Sequence, residues 1–230
     1  MTVAEAATGV ATFDLEHATV RALNAALHGA RDGERFRVLR PGGRHAIAAG
    51  LDAALEIEID GSVGYYCAGM NQHATVRVHG TSGVGVAENM MSGRVEIAAS
   101  AGQSAGATAH GGLLVVRGNA AARCAISLKG ADVVVAGSVG HASAFMAQSG
   151  RLVVCGDAGE GLGDSIYEAR LYVAGAVASL GADCVEKEVR EEHRAELREL
   201  LAAAGVDADA DVFRRYGSAR ALYHFGGGAA

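Results

Sequence analysis

Four cysteines are the residues most able to do chemistry in this chain, because thiolates bind metals and act as nucleophiles. No CxxC pair occurs, although structural zinc sites usually contain one. Cys67 and Cys124 take equivalent positions in a nineteen-residue repeat, three units or about 14 Å apart. A disulfide needs Cα atoms within about 7 Å, so these two cannot pair directly. With Cys155 and Cys184 placed elsewhere, the pattern favours buried, inert thiols over a metal site or cluster.

Histidines are the next candidate metal ligands and general bases. Five of the nine histidines fall within the repeat, and each takes a different position in the repeat unit: His45, His73, His79, His110 and His141. Ligands at unlike positions do not form a column along the repeat. The pattern therefore favours corner or surface histidines over a metal or catalytic site.

Serines and glycine-rich stretches are the remaining candidates for catalytic or phosphate-binding residues. Ser100, Ser104 and Ser149 lie beside glycine-rich corners, but the GxSxG elbow of a serine hydrolase is absent. The stretches Gly80–Gly85 and Gly156–Gly163 resemble phosphate loops, yet neither opens an amphipathic helix or carries the P-loop lysine. We therefore predict no catalytic residue, no cofactor-binding residue and no metal ligand in this chain.

The amino-acid composition argues against several classes of protein. Half of the residues are hydrophobic, 33 are glycine, one is proline and none is tryptophan. Collagen would need glycine at every third position and abundant proline, which this chain lacks. The net charge of −6 with no basic tract argues against a nucleic-acid partner. Neither a secretory signal nor an apolar run of about 18 residues is present, so we expect a soluble, cytoplasmic protein.

Glycines recur with a period of nineteen residues, which is the signature of a repeat architecture. Residues at the same position in successive units form a column. Two columns consist mainly of glycine, and a third, from Ala49 to Ala182, contains only alanine and glycine. Small residues at fixed points indicate corners, where we expect the glycines to adopt positive φ. The two glycine columns are Gly42, Gly61, Gly80, Gly118, Gly137, Gly156 and Gly175, and Gly64, Gly83, Gly102, Gly140 and Gly159.

Two further columns are aliphatic and lie two residues apart, which puts both on one face of a strand. A constant period stacks each residue on its counterpart in the next coil. We therefore predict an all-β solenoid, a parallel β-helix of about seven nineteen-residue coils over 41–183. A cap or flank precedes it at 1–40, and a C-terminal helix and tail follow at 184–230. The columns are Ile57, Val76, Val95, Leu114, Val133, Leu152 and Leu171, and Ile59, Val78, Ile97, Val116, Val135, Val154 and Val173.

Both flanks contain candidate caps for the open ends of a solenoid. Thr19–Leu27 has the apolar spacing of a short helix, and Glu34–Leu39 has that of a strand. Val185–Ala204 is predicted as a second helix that ends at Gly205, and the tail Gly226–Ala230 is expected to be disordered. The apolar face of the second helix is Val189, Leu197, Leu200, Leu201 and Ala204.

The residue between the two aliphatic columns must point outward. This outward column changes from charged to apolar along the stack, and exposed apolar patches usually mark an interface. Three occupants are open: the chain's own C-terminal helix, a partner subunit or a second copy. The column is Glu58, Arg77, Glu96, Val115, Val134, Val153 and Tyr172, and the candidate interface is its apolar part with Leu113: Leu113, Val115, Val134, Val153 and Tyr172.

Two segments, Gly43–Gln72 and Phe213–Phe225, resemble the B subunit of N-methylglutamate synthase. The repeated GxxGxxxA spacing is similar to that of the GXGXG domain that closes the large subunit of glutamate synthase. The family's fold is a right-handed parallel β-helix. The resemblance implies a non-catalytic structural subunit of a complex that makes N-methylglutamate from methylamine and glutamate.

The same resemblance implies two partners. An amidotransferase-like subunit would handle the nitrogen, and a glutamate synthase-like subunit would bind FMN and an iron–sulfur cluster. No cofactor is therefore expected in this chain.

Two alternative functions stay open. A free-standing form of the same domain occurs in formylmethanofuran dehydrogenase as one of its subunits, so the chain could serve a formylmethanofuran-processing complex. A stand-alone carbohydrate-active β-helix would need clustered aspartate, lysine and arginine in an outer groove. The coil at 99–117 has Arg117 as its only formal charge, which argues against that groove.

Overall fold

The structure, a computed structural model, describes residues 4–5 and 9–220, which form one long stack of coils. No helix in these ranges is long and apolar enough to cross a membrane. The elements in chain order are β1 Ala4–Glu5, β2 Val10–Asp14, α1 Val20–His28, β3 Arg35–Leu39, β4 Glu56–Asp60, β5 Thr75–Val78, β6 Arg94–Ile97, β7 Leu113–Val116, β8 Lys129–Val135, β9 Ser149–Val154, β10 Arg170–Val173, β11 Cys184–Lys187, α2 Glu191–Ala204, a 3-10 helix Ala210–Val212, and β12 Arg214–Ser218.

Strands β2 to β10 form a continuous parallel sheet in which each strand pairs with the next along the chain. From β4 onward the register follows the nineteen-residue period, so that Ile57 lies opposite Val76 and Val76 opposite Val95. Every member of the two aliphatic columns is at most 1% exposed. Stacked coils thus share one continuous core that no single coil could bury. The predicted parallel solenoid of about seven coils is confirmed.

The sheet begins before the regular repeat and continues after it. β2 pairs with β3, and β3 pairs with β4 with Phe36 opposite Ile57. That step is longer than nineteen residues, which is why the period did not reveal the first two strands. At the other end β12 inserts antiparallel between β10 and β11. The division at 1–40, 41–183 and 184–230 stays a prediction, although the sheet itself crosses both limits.

Besides the sheet, two further faces complete each coil, and we call them walls. One is a line of single parallel bridges, for example Ala101 to Ala120 and Ala120 to Val139. The other, which we call the alternating wall, comprises 65–72, 84–91, 103–110, 122–129, 141–148 and 160–167. Three alternate residues of each segment have positive φ, as at Tyr66 and Ala68 with φ of 60° and 52°.

Hydrogen bonding explains how the alternating wall holds together. The N–H of Tyr66 donates to the next coil, at the carbonyl oxygen of Val84 (2.9 Å), and that of Ala68 donates to the previous coil, at Ile47 (3.0 Å). Left-handed backbone disfavours bulky side chains. Larger residues such as Tyr66 nevertheless adopt it where the side chain points outward, so the limit at the buried position is space inside the coil: a Cβ on Gly106 would lie 3.1 Å from Val133. The buried position is alanine or glycine in each coil: Ala68, Ala87, Gly106, Ala125, Ala144 and Gly163.

The two glycine columns have a different physical cause from the one predicted. Apart from Gly42 and Gly61, none of their members adopts the left-handed conformation, so the expectation of positive φ was wrong. A Cβ on Gly156 would lie 2.8 Å from the carbonyl carbon of Gly137 in the coil beneath it. Glycine is required because successive backbones approach too closely for any side chain.

A column of short polar side chains follows the first glycine column and was missed by the sequence analysis. Ser100 Oγ accepts a hydrogen bond from the N–H of Asn119 (3.2 Å), and Asn119 Oδ1 accepts one from the N–H of Ser138 (2.9 Å). Ser138 Oγ accepts in turn from the N–H of Asp157 (2.9 Å). These side chains satisfy backbone donors where the coil turns away from the sheet. Ser100 is therefore a structural residue.

The N-terminal flank contains the predicted helix and strand. Thr19 caps α1 by accepting a hydrogen bond from the N–H of Ala22 (3.1 Å), which satisfies one of the free donors of the first turn. Leu23 and Leu27 are buried in the main core. Asn24 fixes α1 to the first coil, because its amide donates to the carbonyl of Ala46 at 2.7 Å. This helix covers the N-terminal end of the core, as expected of a cap.

The C-terminal flank differs from its prediction in two respects. Residues 184–187 form strand β11, so α2 begins at Glu191 rather than near Val185. Arg214–Ser218, within the segment that resembles the B subunit, forms strand β12. The predicted end of α2 is confirmed, since Gly205 caps it in the left-handed conformation. The expected disorder of Gly226–Ala230 lies outside the described residues.

Candidate functional site

The apolar stripe on the outer face of the sheet lies beneath the chain's own C-terminal helix. Val115, Val134, Val153 and Tyr172 are 0% exposed, and Leu113 is partly buried. They pack in a second core, separate from the inner one, against residues of α2 and its following turn: Leu197, Leu200, Leu201, Ala204, Ala210 and Phe213. The helix follows the last coils directly and must bury its own apolar face, which gives the stripe an occupant within the chain.

This packing corrects the candidate interface. Leu113, Val115, Val134, Val153 and Tyr172 do not form an exposed docking surface while α2 is in place. Of the three occupants left open by the sequence, the structure shows the chain's own helix. Val189, assigned to the apolar face of that helix, precedes α2 and is only partly buried.

Arginines of the sheet hold the C-terminal end of α2. Arg94 donates to the carbonyl oxygen of Ala203 (2.8 Å), and Arg117 donates to that of Gly205 (2.6 Å). These carbonyls carry the negative end of the helix dipole, so cations are favourable there. Glu96 lies between the two arginines and bonds both of them. Their hydrogen bonds and charges lower the pKa of Glu96, although its burial alone would raise the pKa.

A second ionic group holds the middle of α2. Glu196 on the helix lies 3.4 Å from Arg151 and 3.3 Å from Arg170 of the sheet. Arg151 also forms a two-point hydrogen bond with Asp132, at 2.6 Å for each contact. The buried Tyr172 hydroxyl has no hydrogen-bond partner among the described residues. Desolvation, and then the charge of Glu196, raise the pKa of Tyr172 to about 12, so the phenol stays protonated.

The first turn of α2 is capped by a histidine. His193 is 8% exposed, and its Nδ1 accepts a hydrogen bond from the backbone N–H of Arg190 (3.0 Å). Burial, followed by the charge of Arg215, lowers the pKa of His193. A neutral imidazole is required here, because a protonated ring has no lone pair with which to accept this bond. Sequence analysis missed this role.

The charged half of the outer face remains open to solvent. A cleft of about 300 Å³ lies over β2 to β5, with Val10 and Phe36 among its lining residues. Charged side chains pair across strands there: Arg37 with Asp60 (2.7 Å), Arg35 with Glu56 (3.5 Å) and Arg77 with Glu58 (3.0 Å), and the His79 imidazole lies 2.5 Å from Glu58. Opposite charges facing each other stabilise a sheet. The carboxylates of this cleft are thus engaged with the chain's own cations.

The five histidines of the repeat do not come together in one site. His45 stacks on Tyr65 with ring centroids 4.6 Å apart. His73 Nδ1 lies 3.3 Å from Ser92 Oγ of the next coil, and His79 belongs to the cleft. His110 and His141 are exposed at separate points.

Cysteines and carboxylates are the remaining candidate metal ligands. Cys67 and Cys124 are fully buried, and desolvation raises the pKa of each thiol to about 12. All four cysteines are free. Among the described residues one group has the spacing of a metal site: Asp14, Glu16 and His17. Arg40 forms ion pairs with both carboxylates, Asp14 and Glu16, and offsets part of their negative charge.

These features define the class as a parallel β-solenoid whose last helix is docked on the outside of its sheet. No model of a known protein family matches the chain. It is 57% identical over 217 residues to Protein GlxC of Rhizobium meliloti (strain 1021), covering 93% of this chain and 95% of that protein. The chain therefore belongs to the GlxC family.

A solved structure shares the fold. It is a chain of the formyltransferase/hydrolase complex (FhcABCD) of Methylorubrum extorquens, determined in complex with methylofuran. The TM-score is 0.54 at 24% identity, with 73% of this chain and 75% of that chain covered. At that identity the similarity concerns the fold alone.

Proposed function

We propose that this chain is a non-catalytic structural subunit of an N-methylglutamate synthase-like complex, which makes N-methylglutamate from methylamine and glutamate. The partners would be an amidotransferase-like subunit and an FMN-binding, glutamate synthase-like subunit. The resemblance of Gly43–Gln72 and Phe213–Phe225 to the B subunit of that synthase supports this assignment. Redox chemistry would then take place in the flavin subunit.

One observation carries the non-catalytic part of the proposal. The charged side chains of the cleft and of the α2 contacts are paired with each other. A general acid or base needs a free proton-accepting atom within reach of substrate. Buried thiols such as Cys67 and Cys124, with a pKa of about 12, have almost no thiolate at neutral pH. These pairings and buried thiols support a role in stability rather than in catalysis.

A second candidate is a subunit of a formylmethanofuran-processing complex. The similarity to a chain of the formyltransferase/hydrolase complex supports a solenoid of this kind within a multi-subunit enzyme. The two candidates differ in the partner that the chain binds.

Co-purification distinguishes the candidates. The chain should be co-expressed with a flavin-binding glutamate synthase-like partner and, separately, with a formyltransferase/hydrolase partner. We expect a stable complex with the first, flavin absorbance only in that complex, and no absorbance band in the isolated chain. Stoichiometric flavin on the isolated chain would contradict the structural role. A complex formed only with the second partner would favour the alternative.

A further inference from the structure

The alternating wall carries most of the exposed large apolar side chains of the described residues. Six of the nine lie on it, and the other three lie near the C-terminal end of the stack. Among residues 4–5 and 9–220 no helix packs over the wall, since α1 joins the inner core and α2 covers the outer sheet face. The six are Tyr65, Met70, Val84, Met91, Met146 and Tyr167.

Few charges interrupt this surface. Within the six segments of the wall five residues carry a formal charge, Glu88, Arg123, Lys129, Glu160 and Asp164, and two are histidines, His110 and His141. Tyrosine, phenylalanine and methionine are enriched at protein interfaces, and charged residues are depleted at their centres. The composition of this wall is therefore that of an interface.

The order of the charges indicates which partner fits. Segment 122–129 carries Arg123 and Lys129, segment 160–167 carries Glu160 and Asp164, and segment 141–148 between them carries no formal charge. A positive and a negative segment at equal distances from a neutral one form a self-complementary pattern. Self-complementarity is the requirement of a two-fold symmetric interface between identical chains.

We propose that two copies of this chain associate through segments 122–129, 141–148 and 160–167 of the alternating wall, with the two-fold axis running along segment 141–148. Such an axis reverses the order of the coils and keeps each position within a coil. Segment 122–129 of one copy then faces segment 160–167 of the other, and the contact occurs twice.

Side-chain size agrees with this pairing. Arg123 faces Gly161, and Glu160 faces Ala122, which is only 6% exposed. Arg123 and Glu160 thus each lie opposite a small residue and come within one position of each other across the axis, and Lys129 faces Tyr167. On the axis, Met146 meets its own counterpart. It is 43% exposed in the single chain and lies beside the half-buried Phe145.

Charge exchange in the isolated chain tests the pairing. Arg123→Glu and Glu160→Arg should each weaken the dimer at least about tenfold, because each places like charges opposite one another. The double variant restores opposite charges and should recover most of the affinity. Arg21→Glu makes the same charge change on the exposed face of α1 and should leave the dimer constant unaltered. Sedimentation analysis over a range of concentrations gives the constants, and thermal unfolding confirms that each variant is folded.

Disulfide trapping tests the position of the axis. Met146→Cys should give a covalent dimer on oxidation with copper phenanthroline, since the two introduced thiols would face each other. Met70→Cys is the matched control: Met70 is 46% exposed at the same position of the wall, four coils away, and should stay unlinked. Three results would overturn the proposal: a wild-type chain that is monomeric at every concentration, a charge-exchanged double variant without recovery, or equal cross-linking at both methionine positions. None of these measurements involves the proposed enzyme complex, so they test the dimer independently of it.

Discussion

Arg117 donates a hydrogen bond to the carbonyl oxygen of Gly205, 2.6 Å away, and bonds Glu96 through its Nε at 2.8 Å. The residue that ends the last helix is thereby attached to the middle of the parallel sheet. With Arg94 on Ala203, this contact fixes where α2 stops on the outer face. The charged half of the outward column begins where the helix ends.

Removing the charge of Glu96 should loosen this end of α2. Glu96→Gln keeps the shape but leaves Arg94 and Arg117 without their anion, and we expect a loss of about 1–2 kcal/mol in the free energy of unfolding. Glu56→Gln, in a more exposed pair with Arg35, should cost less than about 0.5 kcal/mol. Urea unfolding measures both. Equal losses would mean that the contact with α2 contributes nothing.

Charging the covered stripe should destabilise the isolated chain. Val134→Glu with Val153→Glu places two carboxylates at positions that are 0% exposed beneath α2. Burying an unpaired charge is strongly unfavourable, so α2 should detach and the melting temperature should fall by several degrees. Val185→Glu, at a site 37% exposed in β11 and off the alternating wall, is the control and should change the melting temperature little. An unchanged melting temperature for the double variant would show that α2 does not occupy the stripe.

Alanine substitutions at two glycines should show whether the glycine columns are required for space between coils or for backbone conformation. Gly156→Ala puts a Cβ 2.8 Å from the backbone of Gly137, so successive coils must move apart. We expect a loss of about 2 kcal/mol or more, comparable to overpacking in a core. At Gly29, with φ of −88° and no atom nearer than 3.5 Å to an added Cβ, alanine should be nearly neutral. Thermal unfolding compares the two, and equal effects would contradict the close-approach explanation.

The free energy of unfolding should fall in mild acid, because His193 takes up a proton more readily in the unfolded chain. Its folded-state pKa is lowered, so the unfolded chain takes up the proton first, near pH 6.5. The stabilising contribution of the neutral ring is fully present above that pH and is lost as the pH falls through and below it. Burial and the charges of Arg215 and Arg170 lower the pKa, whereas Glu192 and Glu196 raise it.

His193→Gln provides the control for this pH dependence. Glutamine at the third helical position can accept the same backbone hydrogen bond but does not titrate. Unfolding free energies at pH 8 and pH 5.5 should differ more in the wild type than in the variant, by about 1 kcal/mol, the worth of one helix cap. Identical pH dependence would show that His193 does not sense the pH.

Much of the architecture could be predicted from the sequence because stacking repeats the same physical requirement in every coil. Ile57 and Val76 had to share a face and a register, and the structure pairs them. The period could not reveal β2 and β3, since the step from Phe36 to Ile57 breaks it. It also assigned the glycines a conformational role, whereas Gly156 is needed for space.

The sequence predicted the surface that α2 covers but not the individual polar contacts of the helix. The change from Glu96 to Val115 in the outward column correctly indicated a covered surface. Sequence spacing could not show that Glu196 would meet Arg151 and Arg170, because those contacts depend on how the helix crosses the strands. Likewise, the cap at His193 depends on where the helix begins, and the sequence placed that start several residues too early.

Turnover by a complex rebuilt with a charge-depleted chain tests the structural role most directly. Glu58→Gln, Asp60→Asn and His79→Ala together remove the titratable acid and base groups from the centre of the cleft. If the chain is a non-catalytic subunit, the complex with its amidotransferase-like and flavin partners should assemble and make N-methylglutamate with kcat within about twofold of the wild type. A loss on the order of a hundredfold or more, in a complex that assembles normally, is the effect expected on removing a general acid or base and would place catalysis in this chain.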